Sequence, residues 1–199
     1  MEIFVIRHTE VYNPENLCYG NFDIPLMRNY KNKSKKIFDN LPKDLDKIYT
    51  SPSKRCTDLI KSMNLKFSEI TELRELDFGD WEGKKWDEIN QIDLNIWMLD
   101  FINNSPKNGE KMIDLYNRVI QFTESIIDLN FSKILFVTHA GVIRALLSNA
   151  LNISLKDTFN IQINHNEIYR FKINQQNKFK LLFLKMLNLE TMKVQDKLI

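Results

Sequence analysis

Two four-residue apolar runs, Ile3-Phe4-Val5-Ile6 and Ile134-Leu135-Phe136-Val137, are each broken at once by polar residues. A run without alternation predicts a strand buried on both faces, as the central strands of a parallel sheet are. Tyr30, Ile37 and Leu41 keep helical spacing while Lys31, Lys33, Lys35 and Lys36 turn elsewhere, which predicts a surface helix with a solvated basic face. Lys47 to Thr50 reads as a short strand. Ser51-Pro52 then reads as a helix start, with Ser51 as N-cap and Cys56, Leu59, Ile60 and Met63 on the buried side. Phe67 to Ile70 adds a strand. Trp86 to Phe101 predicts a helix whose aromatic residues go to the core, and Asn103 to Gly109 is a polar break. The strongest helical pattern is Met112, Leu115, Val119, Phe122, Ile126 and Leu129, and a further helix spans Val142 to Leu151. Glu167 to Ile173 and Lys180 to Lys185 are expected to be strands paired with each other, followed by a loosely held tail over the last dozen residues.

Strands alternating with helices predict a three-layer α/β/α sandwich around a mostly parallel sheet, as one domain over residues 1–199. Composition narrows the function classes. Lys and Arg number 28 against 26 Asp and Glu, a net charge of +2, which marks neither a nucleic-acid binder nor a membrane binder. Cys18 and Cys56 lie far apart without CxxC spacing, and there are only three histidines, so neither a disulfide framework nor a zinc site is expected. No basic start with an apolar h-region is present, and no stretch approaches the roughly 20 apolar residues of a membrane span. The expectation is a cytoplasmic protein without metal or other cofactor. Its oligomeric state stays open.

Chemistry enters where the predicted strands end. Arg7 and His8 emerge at the carboxyl end of the first, the rim where open α/β sheets bind ligands. Arg55 follows in the first turn of the second helix, and Thr138-His139-Ala140-Gly141 links the second apolar run to a helix start. Two guanidinium groups, two imidazoles and helix amides such as that of Ala140 suit a phosphate dianion, and a neutral imidazole can accept a phosphoryl group. Leu73 to Gly83 offers Glu75, Asp77, Asp80 and Glu82 beside Phe78 and Trp81, and any of these acids is a possible proton donor by chemistry alone. His165 reads as an ordinary loop histidine. The loop from Val11 to Leu26 crosses the same rim and is expected to line the site.

Arg7-His8-Thr9, Thr50-Ser51-Pro52 with Arg55, Leu73 to Gly83, and Thr138 to Gly141 together resemble the motifs of the histidine phosphatase, or phosphoglycerate mutase-like, superfamily over about residues 1–175. Within it, Cys18-Tyr19-Gly20, Asp23-Ile24-Pro25-Leu26 and Phe78 to Glu82 look most like the α-ribazole phosphatases of cobalamin nucleotide-loop assembly. The resemblance implies that His8 is the nucleophile, Glu75 the proton donor, and Arg7, Arg55 and His139 the phosphoryl binders. It also implies a small phosphomonoester substrate and no metal. Two departures stand out. Thr9 replaces a common glycine, and Pro14 stands where the family has a phosphate-contacting asparagine, a role for which Asn13 is the nearest substitute. Asn13, Tyr19 and Gly20 are accordingly expected to line the substrate. The rival readings are a broad phosphatase, a sugar-phosphate mutase, and an inactive relative that binds phosphorylated ligands.

Overall fold

The structure, a computed structural model, describes residues 1–174 and 180–189. Six strands form one sheet: β1 (Glu2–Arg7), β2 (Lys47–Thr50), β3 (Ser68–Glu69), β4 (Lys133–Thr138), β5 (Glu167–Asn174) and β6 (Lys180–Asn188), in the order β3-β2-β4-β1-β5-β6. The pairs β1·β4, β2·β4 and β2·β3 are parallel, whereas β1·β5 and β5·β6 are antiparallel. The helices are α1 (Tyr30–Asp39), α2 (Lys54–Ser62), α3 (Gln91–Leu99), α4 (Met112–Ser125) and α5 (Ala140–Leu151).

The two unbroken apolar runs are buried on both faces because successive side chains of a strand leave opposite sides. Ile3, Val5, Ile134 and Phe136 pack with Leu115 and Val119 of α4 and Val142 and Leu146 of α5. Phe4, Ile6, Leu135 and Val137 pack on the other side with Ile37 of α1 and Leu59 and Ile60 of α2. This is the expected three-layer sandwich, with α1 and α2 on one face of a largely parallel sheet and α4 and α5 on the other. No helix of the described residues is long and apolar enough to cross a membrane.

Two expectations need correction. Ser51 is not the N-cap of α2: Ser53 holds that position, and the Ser51 hydroxyl is engaged by His139 instead. Trp86 to Phe101 is not one helix, because α3 starts only at Gln91, capped by the Asn90 side chain, which accepts from the Ile92 and Asp93 amides. None of the α3 residues is buried; its aromatic Trp97 joins Cys18, Trp81 and Ile89 in a small satellite cluster with Phe78 and Trp86. The tail expected of the last dozen residues falls almost wholly outside the described residues, and Asn188, at its start, still belongs to β6.

Candidate active site

β1 and β4 lie side by side in the middle of the sheet, with Arg7 opposite Thr138, and the His8 amide donates to the Thr138 carbonyl at 2.9 Å. The next residue on each strand is a histidine. His8 and His139 are both buried, and their ring centroids stand 5.2 Å apart, edge to face. The hydrogen bond between His8 Nδ1 and the Thr9 carbonyl, 2.7 Å, requires the proton on Nδ1, because a carbonyl can only accept. Nε2 is therefore left with its lone pair. Burial, with the Arg55 and Arg7 charges behind it, holds the His8 pKa well below the usual imidazole value, so the ring is neutral near neutral pH. His139 is lowered in the same sense, first by burial and then by Arg55. Its Nε2 shares a 2.8 Å hydrogen bond with the Ser51 hydroxyl.

Two arginine charges, Arg7 and Arg55, act on both imidazoles, and of the two only Arg7 lines the cleft described below. Arg7 donates to the Ile163 carbonyl at 2.9 Å, and Arg55 donates to the carbonyls of Phe22, at 3.0 Å, and Gly20. The Nε atoms of both arginines and Nδ1 of His139 are buried without a protein hydrogen-bond partner. Unpaired buried polar atoms are costly, and three of them around one pair of imidazoles is a polarity that an oxyanion would satisfy. Ala140 and Gly141 open α5, whose positive dipole end lies next to His139, its N-cap. Glu75 lies on that helix end: Gly141 N–H donates to Oε1 and Oε2 at 3.1 and 3.2 Å.

Arg7, His8, Glu75 and Ala140 line a cleft of about 350 Å³ whose outer wall is Tyr19, Phe78, Trp86, Trp97, Phe101 and Phe159. A larger groove, about 700 Å³, opens at the other end of β2 among Phe38, Lys43, Lys47, Met63 and Phe67, but it gathers neither an imidazole nor an acid beside a nucleophile. Size does not identify the site; chemistry does. Among the described residues no group of three or more His, Cys, Asp or Glu side chains is arranged to hold a metal ion.

The family model of the histidine phosphatase superfamily (branch 1) matches residues 3–185. The chain belongs to that superfamily. Its membership makes it a phosphoric monoester hydrolase by class. Among curated relatives, a putative phosphoserine phosphatase 2 of Hydrogenobacter thermophilus is 27% identical over 82% of this chain and 85% of its own length. The adenosylcobalamin/alpha-ribazole phosphatase of Escherichia coli is 24% identical over 98% of this chain and all of its own. The crystal structure of the alpha-ribazole phosphatase from Shigella flexneri superposes with a TM-score of 0.83 at 24% identity, covering 94% of this chain and 96% of that one, and so shares the fold.

In this histidine phosphatase the four candidate acids are sorted by what they touch. Only Glu75 lines the cleft. The Glu82 carboxylate accepts from the amides of Gly20, Asn21, Phe22 and Phe78, at 2.9 to 3.1 Å, and is committed to the backbone. Asp77 accepts from the Gly79 amide, and Asp80 from the Asn108 side chain. Of the three residues expected to line the substrate, only Tyr19 does, with the Arg55 guanidinium 5.3 Å over its ring. Asn13 is not in the cleft: its amide is folded back on the Leu17 backbone, donating to the carbonyl and accepting from the N–H. Gly20 is buried, and its place is set by close packing, since a Cβ there would come within 1.7 Å of the Leu76 carbonyl oxygen.

Three residues at or beside the site are not expected there from the sequence reading, which takes His165 for an ordinary loop histidine and does not single out Arg144 or Phe159. His165 donates from Nδ1 to the His8 carbonyl at 2.6 Å, with its ring 5.4 Å from that of His8. Burial and the Arg7 charge bring its pKa down to about 4. Arg144 stacks 4.4 Å over Phe159 while donating to the carbonyls of Ile161, at 3.0 Å, and Thr158. Phe159 itself sits in a short turn with no periodic neighbours. The His165 loop and the Arg144 helix face were visible as elements, but the folding of one onto the other is long-range.

Proposed function

We propose that this histidine phosphatase is a phosphomonoesterase working through a phosphohistidine on His8, with α-ribazole 5′-phosphate or its cobalamin-bound form as substrate. The observation that carries the mechanism is the His8 tautomer: with Nδ1–H given to the Thr9 carbonyl, Nε2 of this cleft-lining ring keeps its lone pair for attack. Nε2 attacks phosphorus in line. The P–O bond to the alcohol breaks as Glu75 gives the leaving oxygen its proton, while Arg7, Arg55, His139 and the Ala140 amide hold the equatorial oxygens. The phosphoimidazolium keeps its Nδ1–H bond to Thr9. Water then attacks the phosphoryl group, Glu75 takes its proton, and phosphate leaves with His8 neutral again.

The substrate assignment rests on the outer wall. Aromatic rings from Tyr19, Trp86, Trp97, Phe101 and Phe159 frame the place where the leaving group lies, and stacking on such rings is worth roughly 1–3 kcal/mol per base in comparable sites. A leaving group bearing a carboxylate, as in phosphoserine or phosphoglycerate, needs a cation there, and Arg144 is already engaged by two carbonyls and the Phe159 ring. The alpha-ribazole phosphatases among the similar proteins agree with a flat, largely apolar leaving group. The test has two parts. His8→Ala abolishes turnover, and rapid acid-free quench of the wild type traps an acid-labile phosphoryl group on His8; a label on serine overturns the mechanism. In a kcat/KM panel the ribazole phosphate exceeds phosphoserine, 3-phosphoglycerate and nucleoside monophosphates; equal values leave a broad phosphatase instead.

A further inference from the structure

Glu75 sits in a stretch, 74–78, with no helix or strand of its own, so its aim depends on support from elsewhere. We propose that Arg118, on α4, is the positioning residue for Glu75: one guanidinium grips the main chain of the proton donor and of two residues shortly before it. The inference rests on Glu75 being that donor. Arg118 Nη1 donates to the carbonyls of Glu72, at 2.5 Å, and Arg74, at 2.9 Å, and Nη2 to the carbonyl of Glu75 itself at 3.1 Å. Its Nε and Nη2 also meet both oxygens of Glu110, at 2.7 and 2.8 Å. Glu110 closes the frame, because its own N–H donates to the Asp77 carbonyl at 2.8 Å. The pair therefore straddles the segment from residue 72 to residue 77.

The opposite side is held from the sheet. Thr138 Oγ1, at the end of β4, donates to the Leu73 carbonyl at 2.8 Å, and the Gly141 amide holds the Glu75 carboxylate. Arg118 and Glu110 are about four-fifths buried, with 21% and 20% of their side-chain surface exposed, so the pair is sheltered from screening. Only a guanidinium fits this role. Its donors form a flat fork that reaches three carbonyls and two carboxylate oxygens at once, whereas a lysine ammonium is a single point charge. Arg118 touches no reacting atom; it acts through the backbone.

The readout is the difference between two leaving groups. An alkyl alcohol leaves only with a proton, whereas p-nitrophenolate leaves without one, so loss of the donor falls selectively on alkyl phosphates. A carboxyl displaced by about 1 Å is expected to cost on the order of 10²-fold. Arg118→Lys is therefore expected to lower kcat on an alkyl phosphate by about 10²-fold while p-nitrophenyl phosphate turnover changes only a few-fold. Combined with Glu75→Gln it adds nothing further, because both changes remove one function. Equal losses on the two substrates from Arg118→Lys, with Glu75→Gln selective, overturn the positioning role alone. Equal losses from Glu75→Gln overturn the donor assignment and this inference together. Should Arg118→Lys fold poorly in thermal unfolding, Glu110→Gln, which keeps size but loses the ion pair, reads the same ratio and must shift it in the same direction.

Discussion

At Gly141 one absent methyl group decides where a carboxylate rests. A Cβ there would lie 2.2 Å from Glu75 Oε1 and 3.1 Å from Leu115 Cδ1, so the glycine is required by close approach of a side chain and not by its own φ angle. Gly141→Ala is expected to leave α5 formed, since alanine is the better helix residue, and to push Glu75 off its amide. The result is a loss of about 10²-fold in kcat on alkyl phosphates, checked by steady-state kinetics beside an unchanged far-UV spectrum. Residue identity was legible wherever chemistry alone restricts the choice: Arg7, His8, Arg55 and His139 stand out as a set suited to an oxyanion. Choosing among Glu75, Asp77, Asp80 and Glu82 was not possible from spacing. Their roles differ by which amide each carboxylate meets, and those amides come from elsewhere in the chain as well as close by.

The loop from Val11 to Leu26 is an element without regular structure, yet it is tightly held. Glu82 collects the amides of Gly20, Asn21 and Phe22, while the carbonyls of Gly20 and Phe22 receive Arg55. Acid, loop and arginine are thus three links of one chain of hydrogen bonds. Glu82→Ala leaves buried donors unmet and is expected to cost about 2–4 kcal/mol in stability, measured by urea unfolding. Arg55 then loses its fixed direction, and the inhibition constant of vanadate rises along with the stability loss. Among the regular elements, β1 and β4 were readable because a doubly buried strand needs an unbroken apolar run. The start of α2 was not, since the Ser51 hydroxyl answers a histidine 88 positions away and leaves the cap to Ser53. The stretch from Trp86 to Phe101 misleads for a related reason. Its aromatics serve the cleft and the satellite cluster, while Ile92, Ile96, Met98 and Leu99 of α3 are exposed, so apolar spacing no longer reports a core face.

Over the whole molecule, all three histidines of the chain converge on one site and all three are held neutral by burial and neighbouring arginines. Their folded pKa values lie below the ordinary value of 6.5, that of His165 at about 4. Above about pH 7 neither the folded nor the unfolded chain binds these protons, and stability is full. As pH falls below 6.5 the unfolded chain takes them up and the folded one does not, so stability is lost progressively toward pH 4. Each histidine that stays neutral removes up to about 1.4 kcal/mol per pH unit in that window. Urea midpoints measured from pH 7.5 down to 4.5 are expected to fall continuously, with His165→Asn shallower than the wild type; a flat profile overturns the reading. The global layering was legible from alternating strands and helices. The gathering of the histidines onto one site was legible only for His8 and His139, because each follows directly from a buried strand. That shared origin has a consequence for how the site is dimensioned. Arg7 and Thr138 face each other across a parallel ladder, so the residues after them are separated by one rung, roughly 4.8 Å, and the imidazole centroids stand 5.2 Å apart. The reactive gauge is thus a property of the peptide backbone, indifferent to which aliphatic side chains fill the layers above and below. Core residues of β1 and β4 can be redesigned wholesale without retuning the catalytic distance, whereas inserting a single residue into either strand would turn one imidazole to the far side of the sheet.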